Sequence, residues 1–155
     1  MKLKYTKTQI VIEAIGIIIL LGMIIFVAAK WNNLPQQIPA HYNAEGVVDR
    51  WGGKSEMLFL PIVAVFLYGL ITGASLFPKS WNMPTKVKDE NKTEVYSCMK
   101  TMLIIMKVEL LGVFFYITYK MSMQMALSEW FLPVFIVILF GTIVFFIVRT
   151  VELSK

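Results

Sequence analysis

Trp31 to Lys54 reads WNNLPQQIPAHYNAEGVVDRWGGK, a polar and aromatic island between two long apolar runs. It holds His41, the chain's only histidine. Pro35 and Pro39 bias the residues before them toward extended backbone. Asn43-Ala44-Glu45-Gly46 fits a type I turn, with Asn at its first position and Gly at its last. Gly46 can take the left-handed conformation that closes a three-residue hairpin loop with a bulge. In that register Asn43 faces Val47, Tyr42 faces Val48 and His41 faces Asp49. The spacing predicts a β-hairpin over about Ile38–Trp51, and Gly52-Gly53 lets the chain turn away into the next element.

Working outward, four apolar runs cover Gln9–Ala29, Met57–Phe77, Thr101–Tyr119 and Phe131–Val148, each of 18–21 residues. At ~1.5 Å per residue each helix would span ~27–32 Å, the thickness of a bilayer's hydrocarbon core. Lone strands leave their backbone unsatisfied in lipid, so the runs read as helices. The 155 residues are 57 % hydrophobic, with a mean hydropathy of +0.68, which excludes an ordinary soluble domain. The first run has a basic start and a small-residue end, yet it is long for a signal peptide and reads as a retained helix.

The expected fold is an all-α membrane protein, a four-helix up-and-down bundle with a hairpin between helices one and two. It forms one domain over residues 1–155. The helices fall at about 9–29, 57–77, 92–119 and 129–148, with an outer loop at 30–56 and an inner loop at 78–91. Asn91 with Glu94 reads as the N-cap of helix three, and Ser55 and Ser128 as caps for helices two and four. Pro61 and Pro133 fall near the starts of their helices, where the missing N–H costs little.

Lysine and arginine set the orientation. Lys2, Lys4, Lys7, Lys79, Lys86, Lys88, Lys92, Lys100, Arg149 and Lys155 lie on one side. Only Lys30, Arg50, Lys54 and Lys120 lie on the other. The bias places both termini in the cytoplasm and the hairpin outside. The net charge of +5 follows from this topology and calls for no nucleic acid.

Candidate chemistry falls into four groups. His41, Asn43, Glu45 and Asp49 could build a ligand site, with His41 and Asp49 as donors to a divalent ion. Arg50, Trp51 and Lys54, with Lys30, Trp31 and Tyr42, form an aromatic and basic rim suited to an anionic headgroup or a peptide. Glu13, Lys107 and Glu109 are ionisable groups inside apolar helices, where charge is costly. Lys107 and Glu109 are two residues apart, on nearly opposite faces. Lys107 points back toward the depth of Glu13, so a Glu13–Lys107 interhelical pair is expected. Met121, Met123 and Met125 could suit a soft ion, although methionine also fills helix ends. The single cysteine, Cys98, admits no internal disulfide and reads as a structural thiol.

Leu34-Pro35, Ile38-Pro39, His41, Asn43, Gly46, Asp49, Gly52 and Lys54 resemble the LPxxIPxHxNxxGxxDxxGxK pattern of a bacterial membrane domain of unknown function. Ten positions match across 21 residues. That domain also forms the N-terminal part of immunity proteins against a sporulation-delaying toxin, in which a further helical domain follows. Trp81-Asn82, Asn91, Tyr96 and Lys107 resemble the same family. The resemblance implies a multi-pass protein of the plasma membrane.

The reading that follows is a non-enzymatic protein whose outer loop recognises a toxin peptide, a lipid headgroup or a partner membrane protein. Membrane lipid is a partner in any case, a homo-oligomer is open, and no cofactor is required beyond a possible divalent metal. Two alternatives stand beside it. One is a metal-assisted enzyme acting at the outer face through His41 and Asp49. The other is a small transporter using Glu13, Lys107 and Glu109.

Overall fold

The computed structural model describes residues 3–155; Lys2, counted above in the charge bias, lies outside the described residues. Helix α1 spans Lys7–Lys30 and ends in a 3-10 turn at Trp31–Asn33. Strands β1 (Gln37–Tyr42) and β2 (Val48–Gly53) form an antiparallel hairpin. A 3-10 segment, Lys54–Leu58, leads into α2 (Phe59–Leu76). Helices α3 (Lys92–Ser122) and α4 (Phe131–Leu153) follow. All four helices are long and apolar enough to cross a membrane. The chain is thus a mostly helical, multi-pass membrane protein with a small hairpin between its first two helices.

Local chemistry sets the boundaries. The Thr6 hydroxyl accepts from the Gln9 amide while the Gln9 side chain accepts from the Thr6 amide, a capping box that starts α1. Asn91 does occupy the N-cap of α3, but its side chain makes no cap bond. Ser55 and Ser128 do not cap α2 and α4 as expected. Ser55 lies within the 3-10 segment, and Ser128 accepts from the Trp130 amide in the turn before α4. Leu58 and Trp130 hold the N-cap positions, with no side-chain bond to the helix. Pro61 and Pro133 sit third in their helices, among amides that have no intrahelical acceptor anyway.

Helix α3 is the hub. Helices α1, α2 and α4 each pack chiefly on it. The buried side of α1 runs Gln9, Gly16, Leu20, Met23, Val27. That of α3 includes Lys100, Ile104, Lys107, Leu111, Thr118 and Met121. Both lists alternate steps of three and four or their sums, the spacing of a helix–helix seam. Gly16 permits the close approach, since a Cβ there would sit 3.2 Å from the Val108 side chain. Leu20, Met23, Ala64 and Leu111 form the mid-membrane core. A second cluster, Val27, Leu34, Ile38, Met57 and Met121, lies directly beneath the hairpin.

Contacts also group the far ends of the helices. The Lys88 ammonium donates to the Lys155 carbonyl, Ser154 to Thr85, and Lys100 to the Leu3 carbonyl. Both ends of the described chain therefore share one side with the α2–α3 connection, opposite the hairpin.

Candidate functional site

The hairpin is shaped by its turn and held by a distant loop. Gly46 has φ +79°, and its amide donates to the Asn43 carbonyl at 3.0 Å. The Asn43 side-chain oxygen accepts from the Val47 amide at 2.8 Å, which locks the tip. The connection from α3 to α4 then grips the hairpin at three points. Gln124 Nε2 donates to the Gln37 carbonyl, Tyr42 Oη to the Met125 carbonyl, and the Leu127 amide to the Gly46 carbonyl. Gly46 is needed twice here: for its positive φ, and because a Cβ would lie 2.8 Å from the Leu127 carbonyl oxygen.

One sequence expectation is corrected. Tyr42 does pair with Val48, but His41 stands opposite Arg50 rather than Asp49. Two compensating irregularities shift the register on either side of His41 and restore it at the tip. The side chains still meet: His41 Nδ1 lies 2.6 Å from Asp49 Oδ1, with both groups largely exposed. The bond fixes the orientation of the imidazole.

Arg50 donates to both carboxylate oxygens of Glu56 at 3.2 and 2.9 Å and to the Ala40 carbonyl at 3.2 Å. The hydrogen bond to Glu56 raises the proton affinity of the guanidinium further. Glu56 in turn packs over Gly52, where any Cβ would collide with its carboxylate. Lys54 Nζ donates to the Trp31 carbonyl at 3.2 Å and sits 4.9 Å from the centre of the indole, tying the 3-10 segment before α2 to the turn after α1. Burial, with Tyr116 nearby, pushes the Tyr42 hydroxyl up to about 12, so it stays a donor through the neutral range. Glu45 and Trp51 are exposed.

These pieces enclose a cavity of about 560 Å³. The hairpin from Ala40 to Gly46 is its roof, with Arg50 and Glu56 at the rim. Ile117 and Met121 of α3 form the floor. Phe59 and Leu60 of α2 stand on one side, and Phe131 and Leu132 of α4 on the other. The volume is that of a small-molecule site, apolar within and polar at one end.

The intramembrane trio divides. Lys107, 1 % exposed, donates to both Glu13 oxygens at 2.7 Å and to Thr72 Oγ1 at 2.8 Å. Tyr68 donates to Glu13 at 3.2 Å, and the ammonium lies 4.3 Å from the centre of its ring. Every N–H of the ammonium is thereby used. Glu109 is separate: it accepts from Thr142 of α4 at 2.6 Å, and its other oxygen is buried without a partner among the described residues. Met121 is buried under the hairpin while Met123 and Met125 are exposed. Thr150 donates to the Cys98 sulfur.

Among the described residues no group of three or more His, Cys, Asp or Glu side chains is placed to hold a metal. Of the four residues considered for a ligand site, His41 and Asp49 are the pair whose side chains meet.

Residues 18–65 match a family model described as a domain of unknown function, DUF1648. The DUF1648 match runs from within α1 through the hairpin to the first turns of α2, and so contains the cavity's roof and one wall. No curated protein and no solved structure matches.

Several participants were not singled out from sequence. Tyr68 and Thr72 are spaced i, i+4 on an otherwise apolar run, as are Gln9 and Glu13. That spacing was the available signal that they share a face. Glu56, Gln124 and Leu127 carried no local signal, because their roles depend on long-range placement.

Proposed function

We propose that this is an integral plasma-membrane protein that recognises an amphipathic ligand in the cavity beneath the hairpin, with the hairpin outside and both termini in the cytoplasm. The observation that carries the reading is the roofed cavity itself. A connector between helices needs no loop clamped by three hydrogen bonds from another loop, and no 560 Å³ space beneath it. The lysine and arginine bias supports the orientation. Trp31, Trp51 and Trp130 cluster on the hairpin side, as residues at a membrane–water interface do. The resemblance to immunity proteins makes a toxin peptide one occupant of interest. The exposed rim also suits a lipid headgroup.

The test uses Cys98→Ser, Ala44→Cys protein carrying an environment-sensitive dye at the tip, reconstituted and titrated with phospholipid vesicles and with an apolar peptide. A saturable shift with one of them, lost when Ile117→Trp fills the cavity, supports the reading. No saturable shift with either, from folded protein, overturns it.

A further inference from the structure

Resting on that reading, we infer that the cavity's occupant is a zwitterionic phospholipid, with one acyl chain in the apolar space and its head exchanged into the Arg50–Glu56 pair.

Three observations lead there. First, the cavity's walls run on into the apolar outer surface of the spanning helices. Phe59 of α2 and Leu132 of α4 line the cavity and are both exposed. A molecule enters by sliding sideways from the lipid, and its apolar part meets Leu60, Ile117 and Met121.

Second, the roof offers little to a peptide. The Asn43 and Gly46 amides are bonded to Val47 and Asn43 carbonyls, and the Gly46 carbonyl is bonded to Leu127. The Ala40 carbonyl is bonded to Arg50. An extended peptide entering the apolar space would leave its own backbone groups unpaired, whereas an acyl chain brings none.

Third, the rim is an exchangeable pair of opposite charges. Arg50 and Glu56 meet at 2.9 Å with both side chains more than a third exposed, so the pair is held weakly. A phosphate can take the guanidinium fork in place of Glu56, and a primary ammonium can take the freed carboxylate. A chain leaving the bilayer gains little apolar burial, since it leaves one apolar medium for another. Selection therefore falls on the head. An anionic head without an ammonium would meet Glu56 uncompensated.

The experiment uses reconstituted full-length protein and phosphatidylethanolamine carrying a photoreactive diazirine in one acyl chain. Crosslinks are mapped by peptide mass spectrometry with unlabelled phosphatidylethanolamine, phosphatidylglycerol or an apolar peptide as competitors. The proposal expects crosslinks concentrated on Leu60, Ile117 and Met121, competed about tenfold better by phosphatidylethanolamine than by phosphatidylglycerol, the worth of one charge-assisted hydrogen bond. Glu56→Gln should erase that preference while leaving the crosslinks, and Arg50→Gln should weaken both competitors. Neither change touches the core, and each variant is checked for an unaltered folded fraction. Equal competition by the two lipids in wild type overturns the assignment of the head. Competition by the peptide alone replaces the lipid with a peptide and leaves the proposed function standing. Crosslinks spread along Ile136, Val137 and Phe140 of α4, uncompeted by anything, overturn both.

Discussion

Helices α1 and α4 are both apolar enough to span a bilayer, yet α3 holds them differently. Helix α1 buries five residues and contributes Glu13 to a network in which Lys107 has all its donors used. Helix α4 buries only Thr150. It is tied to α3 by the stacked Tyr116–Phe131 rings, the Thr142–Glu109 bond and the Thr150–Cys98 contact, and Glu109 is left half satisfied. Between helices in lipid there is no hydrophobic force to choose a partner, so packing of small residues and polar bonds decides which seam is tight. The α1–α2–α3 side is the frame, and the α4 side is where space is left, including the cavity.

The largest way to break this contrast is Glu13→Ala, which strands a buried lysine. It should cost about 3–5 kcal/mol of stability in mixed-micelle unfolding. Glu109→Gln on the other seam should cost under about 1 kcal/mol, near the average for a hydrogen bond between membrane helices. Equal losses would erase the distinction between frame and loose seam.

Next in size is Gly46→Val, which places a branched side chain at positive φ against the Leu127 carbonyl. A cost of about 1–3 kcal/mol is expected, localised to the hairpin and the α3–α4 loop. Faster amide exchange at Leu127 with unchanged exchange in α1 would show that localisation.

Tyr42→Phe removes one of the three clamp bonds and should cost about 1 kcal/mol. The wild-type clamp also has a pH signature. The folded hydroxyl keeps its proton up to about 12, whereas the unfolded chain loses it near 10. The unfolded state thus binds fewer protons in that window, and stability falls as pH rises from about 10 to 12. The contribution is fully present below that range. A pH titration of hairpin exchange should show this fall in wild type and lose it in Tyr42→Phe.

The smallest effect is expected from His41→Ala. Its partner Asp49 is exposed, and such pairs contribute about 0–1 kcal/mol. A larger loss in ligand titrations than in stability would assign His41 to recognition.

Much of the frame was legible in the sequence, because span length and the Asn43-Ala44-Glu45-Gly46 turn are local signals. The Glu13–Lys107 pair was legible too, since a charge inside an apolar run demands a partner at its own depth. The cavity was not. Its walls come from four separate segments, and Leu127, Ile117 and Phe59 look like any apolar residue until the fold brings them together. The register around His41 was missed because two irregularities that cancel leave no trace in the spacing of the turn. The unequal seams were hidden for a related reason: hydropathy reports that a helix spans, and says nothing of what it packs against.

The central claim, that the cavity under the hairpin holds a phospholipid, is tested most directly by native mass spectrometry of protein released from lipid nanodiscs. The account predicts one bound phospholipid retained per chain by wild type and lost from folded Ile117→Trp. No retained adduct, or equal retention by both, would contradict it.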